Sequence, residues 1–543
     1  MQNNNNNNTI LQNLSNYNTL LELSFQNLES KEILRIGKTN KQFNQVLENP
    51  LCWKYATVDM HTNKKKTFKK MSIDNTQYCS SIPRLNLFID HFIVGRKKKN
   101  KRKELIINRF LSLFPRLEHA NIDIWSSRYQ ITTLNIKSIY LKYFRLHYSK
   151  DYVEYNSFCI KSDVFLNCFQ QNQLQQCILS GLYIESLCFL TLLNSTLLRL
   201  ELTNIKIRQD DFLFITELKK LETLILDVIL NDPFLLEAKN LTKDEKKEIS
   251  KVDELFPAHK LTSLKHLTLL NYSIVLFPFF SKYRNANDAS CLMKLEYLEI
   301  NKFNKQIPSP NLNLLKRKEF MYLKELYLHN SSFSKQTSFI FLKSLIQLEK
   351  FYLKGTFGQQ ENVISDLFSY FSSGSQKTLT EVELYSSQPR FSILKINKEI
   401  ASKFIKLSNI RIIGFKFDEN NSSFRNLCLF PALSCLELNI CKADLDEWKQ
   451  ITISNPPFKT LKFSTQKICN ESGFYRFLEN VSFLETIELV DFSIDERSKC
   501  CDSYISPFYD YSDKIIDFCG NPNNLLERLK TNQIYYRRSR LYL

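Results

Sequence analysis

From residue ~110 to ~490 apolar side chains recur in the order Leu-x-x-Leu-x-Leu, and the order returns about every 25 residues. The frames are Leu197-Leu200-Leu202, Leu221-Leu224-Leu226, Leu264-Leu267-Leu269, Leu295-Leu298-Ile300, Leu323-Leu326-Leu328, Leu348-Phe351-Leu353, Leu379-Val382-Leu384, Leu407-Ile410-Ile412, Leu433-Leu436-Leu438, Phe458-Leu461-Phe463 and Leu484-Ile487-Leu489. Successive frames begin 24 to 31 residues apart, except for one step of 43 after Leu221, which requires an insertion. Weaker copies begin at Leu117 (Ala120, Ile122), Ile131 (Leu134, Ile136) and Leu174 (Cys177, Leu179). In each frame the second and third apolar residues are two apart, so on an extended strand both point inward and the residue between them points outward. An amphipathic helix would instead space them i, i+3, i+4, i+7.

One such unit cannot bury its apolar edge alone, whereas stacked units close a continuous core between neighbours. The period fits a strand, a return helix and two turns, as in leucine-rich repeats. The expected fold class is therefore α/β, about 13 to 15 repeats with a parallel sheet on the concave face and helices on the convex face. Asp232 to Pro257 accounts for the insertion, and its charged stretch Leu241 to Ile249 is made of helix formers.

Composition narrows the chemistry. Only 9 glycines occur, with no Gly-x-Gly-x-x-Gly or Gly-x-x-x-x-Gly-Lys loop, which disfavours a nucleotide cradle. The 14 cysteines form no Cys-x-x-Cys pair and the 7 histidines do not cluster with them, so the expectation is reduced thiols in a core and no metal or cofactor. No Gly-x-Ser-x-Gly or His-Glu-x-x-His motif is present, and the chain reads as a binding protein, not an enzyme. The Asn3–Asn8 tract reads as a disordered tail, with neither the basic nor the apolar region of a secretion signal. No stretch reaches ~18 uncharged apolar residues. The expected location is cytoplasmic, with a nuclear alternative from the basic run Arg96–Lys103, and no membrane partner.

The formal charge of +18 is concentrated at Lys64–Lys70, Arg96–Lys103 and Arg537–Arg540. Outward strand positions have the opposite balance. Their acids are Glu201, Asp227, Glu299, Glu325, Glu381, Glu383, Glu437 and Glu488; their bases are Arg199, Lys350, Lys354, Arg411 and Lys462. Binding a phosphate backbone along this wall would need the opposite sign, so nucleic acid is not the expected ligand.

Residues 20–53 carry a different pattern. Three short helices are expected, with Ser30 placed to cap the second and Phe43, Val46 and Leu47 forming an apolar edge on the third. Leu28, Glu32, Ile33, Leu34, Lys41, Phe43, Leu51 and Trp53 follow one another in the order of an F-box, and the segment resembles that small all-α domain. The usual opening Leu-Pro is replaced by Leu20-Leu21, and Cys52 separates Leu51 from Trp53.

The resemblance implies an F-box/leucine-rich-repeat protein, a substrate-recognition subunit of a cullin-type (SCF) ubiquitin ligase. Leu20, Leu21, Leu28, Ile33, Leu34, Phe43 and Trp53 would then serve the Skp-family adaptor interface and the domain's own core, with the cullin scaffold as a further partner. The alternative is a leucine-rich-repeat interaction scaffold without a ligase, its helical segment only capping the repeats. The expected organisation is a tail over 1–17, the F-box-like domain over 18–57, a basic linker entering the first repeat over 58–110, repeats over 111–500 and a cap with basic tail over 501–543.

Four outward tyrosines, Tyr297, Tyr327, Tyr352 and Tyr385, come from consecutive frames. With Glu299, Glu325, Lys350, Glu381, Glu383 and Arg411 they make the candidate substrate-binding surface, because rigid aromatics beside fixed charges form interface hot spots. A partner with a basic or mixed surface is expected there.

Overall fold

A computed structural model of the chain describes residues 57–61, 83–89, 111–125 except 113, 131–149 except 132, 159–230 except 171 and 172, 261–270, 295–301, 320–357 except 334 and 335, 366–386, 393–417, 423–440, 458–465, 486–490 and 535–536. The adaptor candidates Leu20, Leu21, Leu28, Ile33, Leu34, Phe43 and Trp53 lie outside them, as do the 232–257 insertion and the three basic runs. The chain divides into two compact units, Met1–Leu264 with Ser273–Lys282, and Lys265–Tyr272 with Tyr283–Leu543.

The first unit contains strands β1 (Thr57–His61), β2 (Arg84–Ile89), β3 (His119–Ile124), β4 (Tyr143–Tyr148), β5 (Cys159–Ile160), β6 (Gln176–Ser180), β7 (Tyr183–Ile184), β8 (Arg199–Ile207) and β9 (Thr223–Leu230). A parallel ladder runs β1-β2-β3-β4-β6-β8-β9, and β5 and β7 form a short second ladder against the end of β8. Register places Leu85, Ala120, Phe144, Cys177, Leu200 and Leu224 in one inward row, all buried. Helix α1 (Ser162–Phe169) covers this row: Phe165 and Phe169 meet Phe189, and Phe169 meets Phe144 edge-on at 5.2 Å.

Two elements differ from expectation. The frame at Ile131 is not a strand. Ile131, Leu134 and Ile136 are buried in irregular backbone, and the ladder strand is β4, built on Leu141, Phe144 and Leu146. An apolar triplet of this spacing can fill the core on the return path as well as on the strand. Strand β2 and all of β1 but Thr57 lie in the 58–110 region, expected as a basic linker entering the first repeat, so the ladder begins earlier than Leu117.

The second unit contains β10 (His266–Leu270), β11 (Tyr297–Asn301), β12 (Glu325–Phe333), β13 (Lys350–Phe357), β14 (Glu381–Ser386), β15 (Ile393–Leu394), β16 (Asn409–Phe417), β17 (Cys435–Ile440), β18 (Thr460–Thr465), β19 (Thr486–Val490) and β20 (Tyr535–Tyr536). They pair in parallel in chain order, except that β14 pairs with β16 directly while β15 pairs with the far end of β16. Leu267, Leu298, Leu326, Phe351, Val382, Ile410, Leu436 and Leu461 form the inward row, none more than 2% exposed. Strand starts share one device: a single carbonyl accepts two successive N–H groups from the next strand, at 2.7–3.2 Å from Lys265 through Ser434. Both lone pairs of that oxygen are used, which locks the register of each repeat to its neighbour.

Return segments are shorter than the expected helices. Gln336–Ser344, Cys188–Leu193 and Leu367–Tyr370 are 3₁₀ turns, and α1, with 8 residues, is the longest α-helix among the described residues. Runs such as Thr337-Ser338-Phe339-Ile340-Phe341 are poor α-formers, and the 3₁₀ form covers more distance per residue.

Candidate functional site

All ten residues of the candidate surface fall in the second unit, on the sheet face opposite the apolar row. Register sets nine of them in two outward rows. One runs Tyr297, Glu325, Lys350, Glu381; the other runs Glu299, Tyr327, Tyr352, Glu383, Arg411, followed by Glu437; Tyr385 stands in a third row, opposite Lys354. The tyrosine rings form a chain, Tyr297 to Tyr327 at 5.1 Å, Tyr327 to Tyr352 at 5.9 Å and Tyr352 to Tyr385 at 5.1 Å, each pair tilted by 30–38°.

The carboxylates of Glu299, Glu325, Glu383 and Glu437 are not bare. Residues two apart on a strand share a face, and this lets Tyr297 donate to Glu299 at 2.8 Å, Tyr327 to Glu325 at 3.0 Å and Tyr385 to Glu383 at 2.9 Å. Lys350 pairs with Glu325 at 3.2 Å. Arg411 pairs with Glu437 at 2.8 Å and with Glu383 at 3.8 Å while its guanidinium lies 5.3 Å from the Tyr385 ring centre. Burial works against Arg411's charge, but Glu437, Tyr385 and Glu383 outweigh it and hold its pKa above the ordinary value.

Burial also raises the pKa of all four tyrosines. Tyr352 is pushed up to about 12 by burial and then by Glu383; the other three go further, their neighbouring carboxylates opposing a second negative charge. Glu299 is held below the usual carboxylate range, chiefly by His329 and then, against its burial, by Tyr297.

His329 is the member that the charge pattern missed. It lies at the outward offset of the Leu323 frame, but a histidine is absent from a count of acids and bases at neutral pH. A β-bulge after Leu328 sets two residues, His329 and Asn330, against Lys354. The His329 imidazole sits 4.5 Å from the Tyr352 ring, and its Nε2 is 3.3 Å from Glu299. Tyr297, Glu299, Tyr327, His329, Lys350, Tyr352, Glu381 and Glu383, with Phe351 beneath, line a depression of about 350 Å³. His266, against Tyr297 at 5.6 Å, extends the aromatic row by one strand.

No family model matches the chain, and neither does any curated protein. Matches to solved structures are at low identity. An internalin (inlF) of Listeria monocytogenes is 15% identical over 61% of this chain and 76% of its own, with a TM-score of 0.33. A leucine-rich-repeat protein of Leptospira interrogans is 14% identical over 83% of this chain and 94% of its own, with a TM-score of 0.40. TLR13, solved with ssRNA13, is 15% identical over 77% of this chain and 57% of its own, with a TM-score of 0.37. The leucine-rich-repeat assignment rests on the strand register itself, in which every described frame other than Ile131 enters a parallel ladder.

Among the described residues no group of His, Cys, Asp and Glu is arranged to hold a metal, and no helix is long and apolar enough to cross a membrane. Cys159, Cys168, Cys177, Cys188, Cys428 and Cys435 are thiols, not half-cystines; Cys168, Cys177 and Cys428 are buried, and burial pushes their pKa values up, Cys428 to about 12. Those three are core fillers, not nucleophiles.

Proposed function

We propose that the outward face of β11–β16 recognises a protein partner, and that the chain acts as the substrate-recognition subunit of a cullin-type ubiquitin ligase. The observation that carries the first part is the tyrosine chain set among paired carboxylates. It offers a wide, rigid aromatic surface whose polar edges are already oriented, so few side chains must be ordered on binding. The second part is supported by the F-box order from Leu28 to Trp53 in the sequence. In that role the chain binds and positions its partner, and ubiquitin transfer belongs to other subunits.

Capture of a partner by the full chain should be abolished in the Tyr327→Ala/Tyr352→Ala variant, and retained capture rejects the surface. Coexpression of the full chain with a Skp-family adaptor tests the ligase role: the adaptor should copurify with the wild type and be lost with Leu34→Asp. If no adaptor copurifies, the reading becomes a leucine-rich-repeat scaffold without a ligase.

A further inference from the structure

The carboxylate oxygens in the depression and beside it are unequally used. On Glu299, Oε2 accepts from Tyr297 and Thr268, and Oε1 faces His329. On Glu325, Oε2 accepts from Tyr327 and Oε1 pairs with Lys350. Both contacts of Glu383, from Tyr385 and Arg411, fall on Oε2. The Glu381 carboxylate has no hydrogen bond or ion pair among the described residues, and Lys350, its neighbour in register, pairs instead with Glu325 on the other side. Tyr352 likewise differs from the other three tyrosines in having no hydroxyl hydrogen bond among the described residues. The open polar capacity of the depression is therefore gathered on two adjacent strands, around the Tyr352 ring.

The chain shows how this face holds a cation. Arg411 lies over Tyr385 with Glu383 and Glu437 on the strands either side of its own. Tyr352 with Glu381 and Glu383 repeats the same chemistry, a ring beside two carboxylates, without a guanidinium of its own. A planar guanidinium can stack on a ring and reach two carboxylates together, which a lysine ammonium does less well.

We infer that the depression receives an arginine side chain from an extended segment of the protein partner, stacked on Tyr352 and paired with Glu381 and Glu383. This rests on the protein-recognition reading above and specifies its chemistry. The acidic balance of the depression, Glu299, Glu381 and Glu383 in its lining against Lys350, matches a cationic group and repels phosphate.

The test measures binding of the full-length chain to a fluorescein-labelled positional-scanning decapeptide library and to its counterpart with citrulline in place of arginine. Arginine should be preferred over citrulline by about tenfold at one position. That preference should vanish in Glu381→Gln and Tyr352→Ala and persist in Tyr352→Phe, which keeps the ring, and in Glu399→Gln, on an exposed return segment. Peptide binding without arginine preference overturns the inference but leaves the protein-recognition surface standing. A preference that survives both Glu381→Gln and Tyr352→Ala overturns it, as does the absence of peptide binding. Spermidine binding without peptide selection overturns it in favour of a small polycation. Protein recognition itself is judged separately, by partner capture in the Tyr327→Ala/Tyr352→Ala variant.

Discussion

At the scale of single residues, the outward tyrosines are held neutral by the same burial and carboxylates that position them. A tyrosine whose pKa is raised on folding contributes stability that is complete below its unfolded value of 10.0 and is lost as pH climbs toward the folded value. For Tyr352 that window runs from about 10 to about 12. The protein should therefore lose stability with rising pH above about 10, and Tyr352→Phe should make that loss shallower, as read from denaturant midpoints at stepped pH. An unchanged slope in the variant removes Tyr352 from the account.

Residue identity also decides the bulges. β16 shifts register between Ile413 and Phe415, and the residue between them is Gly414 at φ 74°; the corresponding place in β8 is Asn204 at φ 52°. A side chain on Gly414 would meet the carbonyl oxygen of Ser386 as well as the left-handed backbone penalty. Gly414→Ala should therefore cost about 1–3 kcal/mol of unfolding free energy, measured by chemical denaturation.

At the scale of elements, a strand of the ladder is stabilised through the rows on either side of it. Leu326 is fully buried between Leu298 and Phe351 in register. Leu326→Ala should destabilise by about 2–5 kcal/mol, whereas Ile405→Ala, at a side chain 54% exposed, should stay within about 0.5 kcal/mol. Equal effects would contradict the inward assignment of the frame.

The strands were legible in sequence because two inward residues at a spacing of two, repeated at a near-constant period, suit stacked extended segments and break the 3.6-residue rhythm of a helix. Ile131 was not separable from them by spacing alone, since its apolar residues are equally buried without joining the ladder. A longer motif marks some of the ladder frames. Phe114, Leu218, Leu261, Phe320, Phe404 and Phe430 each precede a frame leucine by three residues and accept its N–H at 3.0–3.4 Å, closing the turn that launches the strand. Ile131 has an arginine, Arg128, at that place. The motif does not separate all ladder frames from Ile131, since Asn194 and Gln376 stand at the same place before Leu197 and Leu379. The outward rows were legible for the same periodic reason. Which carboxylate oxygens are occupied was not, because that depends on side-chain rotamers and on the bulge that brings His329 against Tyr352.

At the scale of the molecule, the net charge of +18 and the acidic aromatic face point to different roles. The basic runs raise the charge of the whole, while the recognition surface carries more carboxylates than cations. Partner binding through that face should weaken with added salt if the partner is cationic there. The most direct measurement replaces Lys354, exposed at the rim beside Tyr385, with the photo-cross-linker p-benzoylphenylalanine, and Lys403, on an exposed return segment, likewise. Irradiation should join the partner to position 354 and not to position 403. Cross-linking at 403 with none at 354 contradicts the assignment of recognition to the tyrosine face.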